Sequence, residues 1–351
     1  MAEENIVKNY YQGIYLTETI MGNPNGDFVD NSPRNFDGKV FTTDKCIKYN
    51  VRRYIHEEKE TVNFTEDKNV ESTENFVFFY PRKEGDDVAE AGFLNKESIL
   101  KRFMGTPNDK SELDEIFKNK IIDGCPDVRM FGGTFSLKKD VYNSSSNKKN
   151  VNKQIYGPIQ LSYGKDINNA QIKRLQIGAP FSIADGDQKT IGSEAVVDDA
   201  IISYDITINP NNYPGLLKES DLKLFKESLW FGTNLRKSTS KKTDSKLLIL
   251  IKFANKRSDE KVTALNIGEL KELITIKNGK ERKNQDNPIK KIEIDTTQLN
   301  EKLGKYKDFI EEITVYRDSA EVDIELTIDG LKISQILFKE PNILLNGDQN
   351  E

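Results

Sequence analysis

An α+β fold built on one split βαβ core is expected for this chain of 351 residues. Three observations carry that expectation. Apolar alternation or continuous apolar runs mark four strands, and helical spacing marks two long helices. The order of these elements along the chain is strand, helix, strand, strand, helix, strand. The long stretches that interrupt this order are then insertions.

The first strand spans 11–21, with Ile14, Leu16 and Ile20 on one face. A polar run, GNPNGDFVDNSPRNFDGK, follows at 22–39, rich in the residues that bend a backbone tightly. Thr43 is placed to cap a helix over 43–58. Ile47, Val51, Tyr54 and Ile55 recur at the spacing of one buried face. Lys45, Lys48 and Arg52 fall at i, i+3 and i+7, a basic stripe beside the apolar one. A loop rich in backbone donors next to such a stripe suits phosphate; an ordinary solvated helix after a long turn has the same pattern.

Residues 59–153 are mixed: FVFFY at 76–80 reads as a buried strand, 111–122 as an amphipathic helix, and YNSSSNKKNVNK at 142–153 as a mobile loop. In 155–163, Ile155, Ile159, Leu161 and Tyr163 alternate with Tyr156, Pro158, Gln160 and Ser162, giving a second strand. An insertion of about thirty residues with Gly-Ala-Pro and Asp-Gly-Asp turns precedes a third strand at 200–208. Leu222, Phe225, Leu229 and Trp230 mark a helix over 221–235, and the apolar run at 246–253 is a fourth strand. Beyond 255, strand-like pieces occur at 312–317 and 321–328, with a lysine-rich loop near 277–291. This is the split βαβ order of ferredoxin-like folds, which RNA-recognition domains share, and order alone does not assign function.

Composition narrows the classes. A net charge of −5 argues against indiscriminate coating of polyanions, yet the basic residues cluster: six lie in 236–252 against Asp244 alone. One histidine, His56, leaves little room for histidine-based catalysis or zinc, and no Walker A loop or dinucleotide fingerprint is present. Cys46 and Cys125 form no C-x-x-C pair and read as reduced thiols of a cytoplasmic protein. No apolar run reaches membrane-spanning length, so no membrane partner is expected. Neither a metal nor a cofactor is expected.

Four separated motifs, in order, resemble one family. GNPNGD…NSPR…TTDKCIKYNVRRYI (22–55), DVRMFGGTF (127–135), IYGPIQLSYGKDIN (155–168) and LWFGTNLRKSTSKKTDSKLLILIKF (229–253) resemble the backbone subunit of type I CRISPR Cascade complexes. That is the Cas-seven superfamily, and more narrowly its subtype I-B branch. The likeness covers about residues 10–254. It implies a hand-like fold: a ferredoxin-like, RRM-like palm (1–58, 154–165 and 196–254), a helical finger insertion (59–153), a thumb hairpin insertion (166–195), and a strand-rich C-terminal extension of the palm (255–351). It also implies a non-catalytic role in antiviral defence. The subunit polymerises along CRISPR RNA beside copies of itself and presents the guide to target DNA. Its other partners are further Cascade subunits: the 5′-handle cap, the large subunit and the guide-processing endonuclease. Such a guide must be held by its phosphates, because its base edges must stay free.

Residue by residue, the resemblance assigns Lys48 and Arg52, with Lys45 beside them, to guide phosphates. Arg34 and the amides around Asn23, Asn25 and Gly26 lie in the adjoining loop. Gln160 and Ser162 occupy the polar face of the second strand. In the thumb, Leu175, Ile177, Phe181 and Ile183 are wedge residues that separate bases, and Lys173, Arg174 and Lys189 grip the backbone nearby. Asn234, Arg236, Lys241 and Lys242 close the groove. Each assignment competes with a plainer reading: thumb apolars can staple a hairpin, and the 236–242 basics can be a solvated helix end. Gly132 and Gly133 suit a tight turn or close backbone approach. The aromatic strand signature of an RNA-recognition motif is missing, so binding is expected on loops, first helix and thumb rather than across the sheet.

Two other functions fit part of the pattern. Asp27, Asp30 and Asp37 in the loop after the first strand could hold a divalent ion and cut target RNA, although Asp also favours turns. A purely structural filament would assemble without RNA.

Overall fold

The computed structural model describes residues 6–65, 70–82, 96–108, 110–137, 151–178, 191–255, 265–282 and 291–337. The expected core order is present: β1 (Tyr11–Gly22), α1 (Asp44–Tyr54), β2 (Ile159–Leu161), then an inserted strand β3 (Ile172–Gly178), β4 (Ile191–Ile208), α2 (Glu219–Leu235) and β5 (Thr243–Phe253). β1 is central because it pairs antiparallel on both edges, with β4 from Tyr11↔Ile208 to Gly22↔Val197 and with β5 from Tyr11↔Lys252 to Thr19↔Thr243. β2 joins the far edge of β4 at Ile206↔Leu161, which gives the strand order β5–β1–β4–β2. β6 (Ile310–Arg317) and β7 (Ile333–Leu337) extend the sheet beyond β5.

Both faces of this sheet are buried. On one, Tyr15, Tyr204, Ile206, Leu248 and Leu250 pack with Ile47 and Val51 of α1 and Phe225 and Leu229 of α2. On the other, Ile14, Leu16, Leu247, Ile249 and Ile251 pack with Ile267, Leu270, Ile294, Leu299 and Leu303 from the C-terminal region. Two-sided burial explains why β5 reads as an unbroken apolar run. It also explains the C-terminal region, since residues of 265–282 and 291–328 cover the sheet face that α1 and α2 leave open. A third core, around Phe78, Leu100, Leu113, Phe117 and Phe135, holds the insertion between α1 and β2.

α1 and α2 cross where a side chain would not fit. A Cβ at Gly232 would lie 2.5 Å from the Asn50 carbonyl oxygen and 3.0 Å from the Tyr54 Cβ. Gly232→Ala gains helix propensity but forces the helices apart, and overpacking of this kind costs about 1–3 kcal/mol. Equilibrium urea unfolding is expected to show the net loss.

Several expectations need correction. The run 155–163 is two strands: Val151–Tyr156 pairs with Gly132–Leu137 in the insertion, and only Ile159–Leu161 joins the main sheet. Pro158 cannot donate to a ladder, and Gly157 passes so close to Phe131 and Gly132 that a Cβ would meet the Phe131 carbonyl carbon at 2.1 Å. The same packing, with φ of 68° at Gly132, accounts for that glycine. Residues 76–80 are irregular rather than a strand. Their N–H groups go to carboxylates instead: Val77 to Glu60 Oε2 at 2.7 Å, and Phe78 and Phe79 to the two oxygens of Asp127 at 3.0 and 3.1 Å. Of the expected mobile loop at 142–153, residues 151–153 lie in a strand and the others outside the described residues. The first helix ends in a π-wound turn, Ile55–Lys59. There His56 Nδ1 lies 3.1 Å from Glu60 Oε1 and its ring packs 4.5 Å from that of Tyr80, a packing role. The helix at 111–122 is an α-helix, Lys110–Ile116, continued by a π-wound segment, Phe117–Ile122. In the tail, only Val322–Ile324 of the 321–328 piece is a strand.

Candidate nucleic-acid interface

The loop after β1 is built by its own polar side chains. Asp27 Oδ1 accepts the N–H groups of Val29 and Asp30 at 2.9 and 3.0 Å, and Asp30 Oδ1 accepts that of Ser32 at 2.9 Å. A bridge joins Gly26 to Pro33, and a Cβ at Gly26 would lie 2.1 Å from Asn31 Oδ1. Asn25 Oδ1 accepts both the backbone N–H and the hydroxyl of Thr43, at 3.0 and 3.1 Å. Thr43 therefore holds the N-cap position of α1 without a side-chain cap bond of its own, and its hydroxyl serves to anchor the loop.

That loop is stitched to the one after α2. The Asn23 N–H donates to the Ser240 carbonyl at 2.7 Å, and Lys241 Nζ donates to the Asn23 carbonyl at 3.0 Å. Asn23 is 2% exposed. Arg236, at the C-terminal end of α2, donates to Asn50 Oδ1 at 2.9 Å, approaches Cys46 Sγ at 3.7 Å and lies 4.6 Å over the Tyr49 ring. Among the described residues neither Arg236 nor Lys241 makes an ion pair. Burial, and then the Arg236 guanidinium, hold the Lys241 ammonium below the usual lysine value. Two cations thus share a half-buried recess with backbone and amide groups, and an anion placed there would relieve both.

The basic stripe of α1 is less free. Lys48 Nζ is 3.0 Å from Asp44 and 3.5 Å from Gln160 Oε1. Arg52 Nε is 3.1 Å from Asp127, which is fully buried, and its guanidinium lies over the Phe79 and Phe131 rings. A phosphate would have to compete with these carboxylates. Lys45 is exposed, as is Lys242 beside Lys241. Asn234 Oδ1 accepts the Ser245 N–H at 2.7 Å and so shapes the turn into β5. Arg34 is half-buried, with its guanidinium 5.3 Å over the Phe28 ring. Ser162 belongs elsewhere: its hydroxyl bonds the Asp205 N–H and Lys271 Nζ, at 3.0 and 3.2 Å.

β3 and the start of β4 form an antiparallel hairpin from Ile172↔Val197 to Gly178↔Ile191. Leu175 and Ile177 are 39% and 46% exposed on it, on the same face as Lys173. Arg174 reaches Asp30 of the β1 loop at 3.7 Å, so hairpin and loop adjoin. Phe181, Ile183 and Lys189 lie outside the described residues.

The loop acids have turn duties. Asp27 and Asp30 fix backbone amides as given above, and Asp37 takes φ of 49° in the turn between Asn35–Phe36 and Lys39–Thr42. The Ser32 N–H holds the Asp30 carboxyl below the usual aspartate value. Among the described residues no group of three or more His, Cys, Asp and Glu side chains could hold a metal ion. No helix among them is long and apolar enough to cross a membrane.

Sequence reasoning missed Cys46, Asn50, Asp127 and Phe28. Cys46 and Asn50 stand one helical turn apart on α1, and that spacing was the available signal. Asp127 opens one of the four family-like motifs, but its partners are remote in sequence.

The family model described as CRISPR-associated protein Cas7 matches residues 9–297. Among solved structures, a chain of a "CRISPR RNA-guided surveillance complex, pre-nicking" is similar at 10% identity, covering 96% of this chain and 98% of that one, with a TM-score of 0.48. A chain of a "CRISPR RNA-guided surveillance complex" is similar at 9% identity over 96% of this chain and 98% of that one, with a TM-score of 0.45. No curated protein matches.

Proposed function

Because this chain belongs to the CRISPR-associated protein Cas7 family, we propose that it is the non-catalytic backbone subunit of a type I Cascade complex, of the I-B-like branch, and holds CRISPR RNA by its phosphates. Copies line up along the guide beside the other Cascade subunits and leave its bases free to pair with target DNA. The palm is the sheet with α1 and α2, the fingers are the insertion between α1 and β2, and the thumb is the β3–β4 hairpin. The observation that carries this reading is the recess of Arg236 and Lys241, beside the Asn23 backbone and α1: two cations that make no ion pair among the described residues, Lys241 feeling only a weak pull from Glu194. The covered sheet supports it too. With residues of 265–282 and 291–328 on one face and helices on the other, the sheet offers no open face for bases to stack on, which favours a path over loops, first helix and thumb.

Salt dependence of binding to single-stranded RNA tests the reading. Each phosphate neutralised contributes about 0.7 to the slope of log K against log salt. Arg236→Ala with Lys241→Ala is expected to flatten that slope by about 1.4, if each cation meets one phosphate. Lys48→Ala with Arg52→Ala should flatten it less, because Asp44 and Asp127 already engage those side chains. An unchanged slope in the first double variant would remove the recess from the RNA path. RNA cleaved in magnesium, and spared on changing Asp27 and Asp30 to alanine, would favour the ribonuclease instead.

A further inference from the structure

We propose that Phe28 is a base-stacking residue: its ring packs on a nucleobase of the single-stranded RNA whose backbone enters the Arg236–Lys241 recess. The inference rests on the phosphate-holding reading and adds a contact that reads the base face.

Phe28 and Val29 are 98% and 95% exposed, and Phe28 is the most exposed of the large apolar residues among those described. Leaving a phenylalanine in water forgoes burial that other large side chains of this protein obtain. A floppy tip would give no reason for that choice, but this tip is held by its own hydrogen bonds. Asp27 fixes the amides on either side of Val29, the Asp27 N–H bonds the Ser32 carbonyl at 2.9 Å, and the Asn23 amide holds the Asn31 carbonyl at 2.5 Å. Asn23 also accepts from Lys241, so the loop that presents the ring is anchored on the recess that would take the phosphate. Pre-organisation of this kind lowers the ordering cost of binding.

The surroundings of the ring select its partner. Arg34 lies 5.3 Å from the Phe28 centroid, and Arg174 reaches the same loop at Asp30. Two of the loop's three acids are engaged, Asp27 by backbone amides and Asp30 by Ser32 and Arg174. An aromatic beside one guanidinium, on a loop anchored to a recess for phosphate, fits one nucleotide: backbone on the cations, base on the ring. A purely apolar protein surface would leave Arg34 without a counter-charge.

The full-length chain provides its own reporter. Its one tryptophan, Trp230, is 4% exposed, so a second indole at the loop tip dominates any change on binding. Single-stranded RNA of mixed sequence is titrated into Phe28→Trp, with the parent chain as blank, and binding is measured alongside for Phe28→Ala. The expected result is saturable quenching of the introduced indole at parental affinity. Phe28→Ala should weaken binding roughly 5- to 150-fold with the salt slope unchanged, because no phosphate contact is lost. RNA binding that Arg236→Ala with Lys241→Ala weakens, but that neither quenches the indole nor suffers from Phe28→Ala, overturns this inference and leaves the phosphate reading intact. A blue shift that grows with protein concentration in the absence of RNA overturns it in favour of a contact between copies. Failure of the parent chain to bind RNA at low salt overturns both.

Discussion

Replacing Arg129 with alanine is expected to lower the unfolding free energy by about 3–5 kcal/mol, the cost of stranding a buried charge. Arg129 Nε and Nη2 donate to the two oxygens of Asp221 at 2.8 and 2.7 Å, and Nη1 donates to the carbonyls of Ile122 and Asp123. Both side chains are almost fully buried. Asp221 also accepts the Lys218 N–H at 3.0 Å, closing the first turn of α2. One guanidinium therefore joins the insertion between α1 and β2 to α2 of the sheet core. In Arg129→Ala the Asp221 carboxylate stays buried with a single backbone donor. A double variant, Arg129→Met with Asp221→Leu, removes both charges and should recover much of the loss. Urea unfolding of the three proteins checks this. Equal losses in the single and double variants would mean that the geometry, not the stranded charge, was responsible.

The second large effect lies on the other face of the sheet. Arg282, 2% exposed, donates to Glu18 at the shortest contact of the group and lies 3.3 Å from Asp199, while Lys246 sits 3.2 Å from Glu18 and 2.8 Å from Glu321. This network fastens the C-terminal layer to β1, β4 and β5. Arg282→Ala should again cost about 3–5 kcal/mol. Hydrogen exchange should quicken first within 265–337, since the layer loses its one guanidinium bridge to Glu18. The pH dependence has a definite sign. Burial raises the Glu18 carboxyl above its ordinary 4.5 despite Lys246 and Arg282, and losing Arg282 raises it further. A carboxyl with a raised folded-state value binds its proton more tightly when folded. The variant's deficit is thus smallest below about pH 4.5 and grows as pH rises through the raised value. A deficit independent of pH would clear Glu18 of any part in it.

How far the sequence reveals this molecule depends on whether a partner is near in sequence or far. α1, α2 and β5 were legible because their apolar spacing answers to a local period. Ile14 and Leu16 showed one face of β1, but nothing in the described residues of 265–328 announced that they would cover that face. Residues 76–80 look like a strand because they are apolar, yet Glu60 and Asp127 take their amides, and no short-range rule connects those positions. The Gly157–Pro158 break carried its own signal and was masked by alternation that ran through it. In the interface, the family resemblance brought Arg236, Lys241 and Asn23 to one groove, while the bonds that stitch them, Asn23 to Ser240 and Lys241 to Asn23, had no local signal. Phe28 escaped because a single aromatic in a polar turn has no period to betray it.

The stitching of Asn23 to Lys241 also sets a schedule. The two residues are 218 positions apart, and the central strand β1 has neither neighbour until β4 and β5 follow. At about 5–20 residues per second, roughly 10–40 s of translation separate the first half of the recess from the second. The recess therefore cannot close on a polyanion before Lys241 has been made. The recess is complete only when β4, α2 and β5 have joined β1.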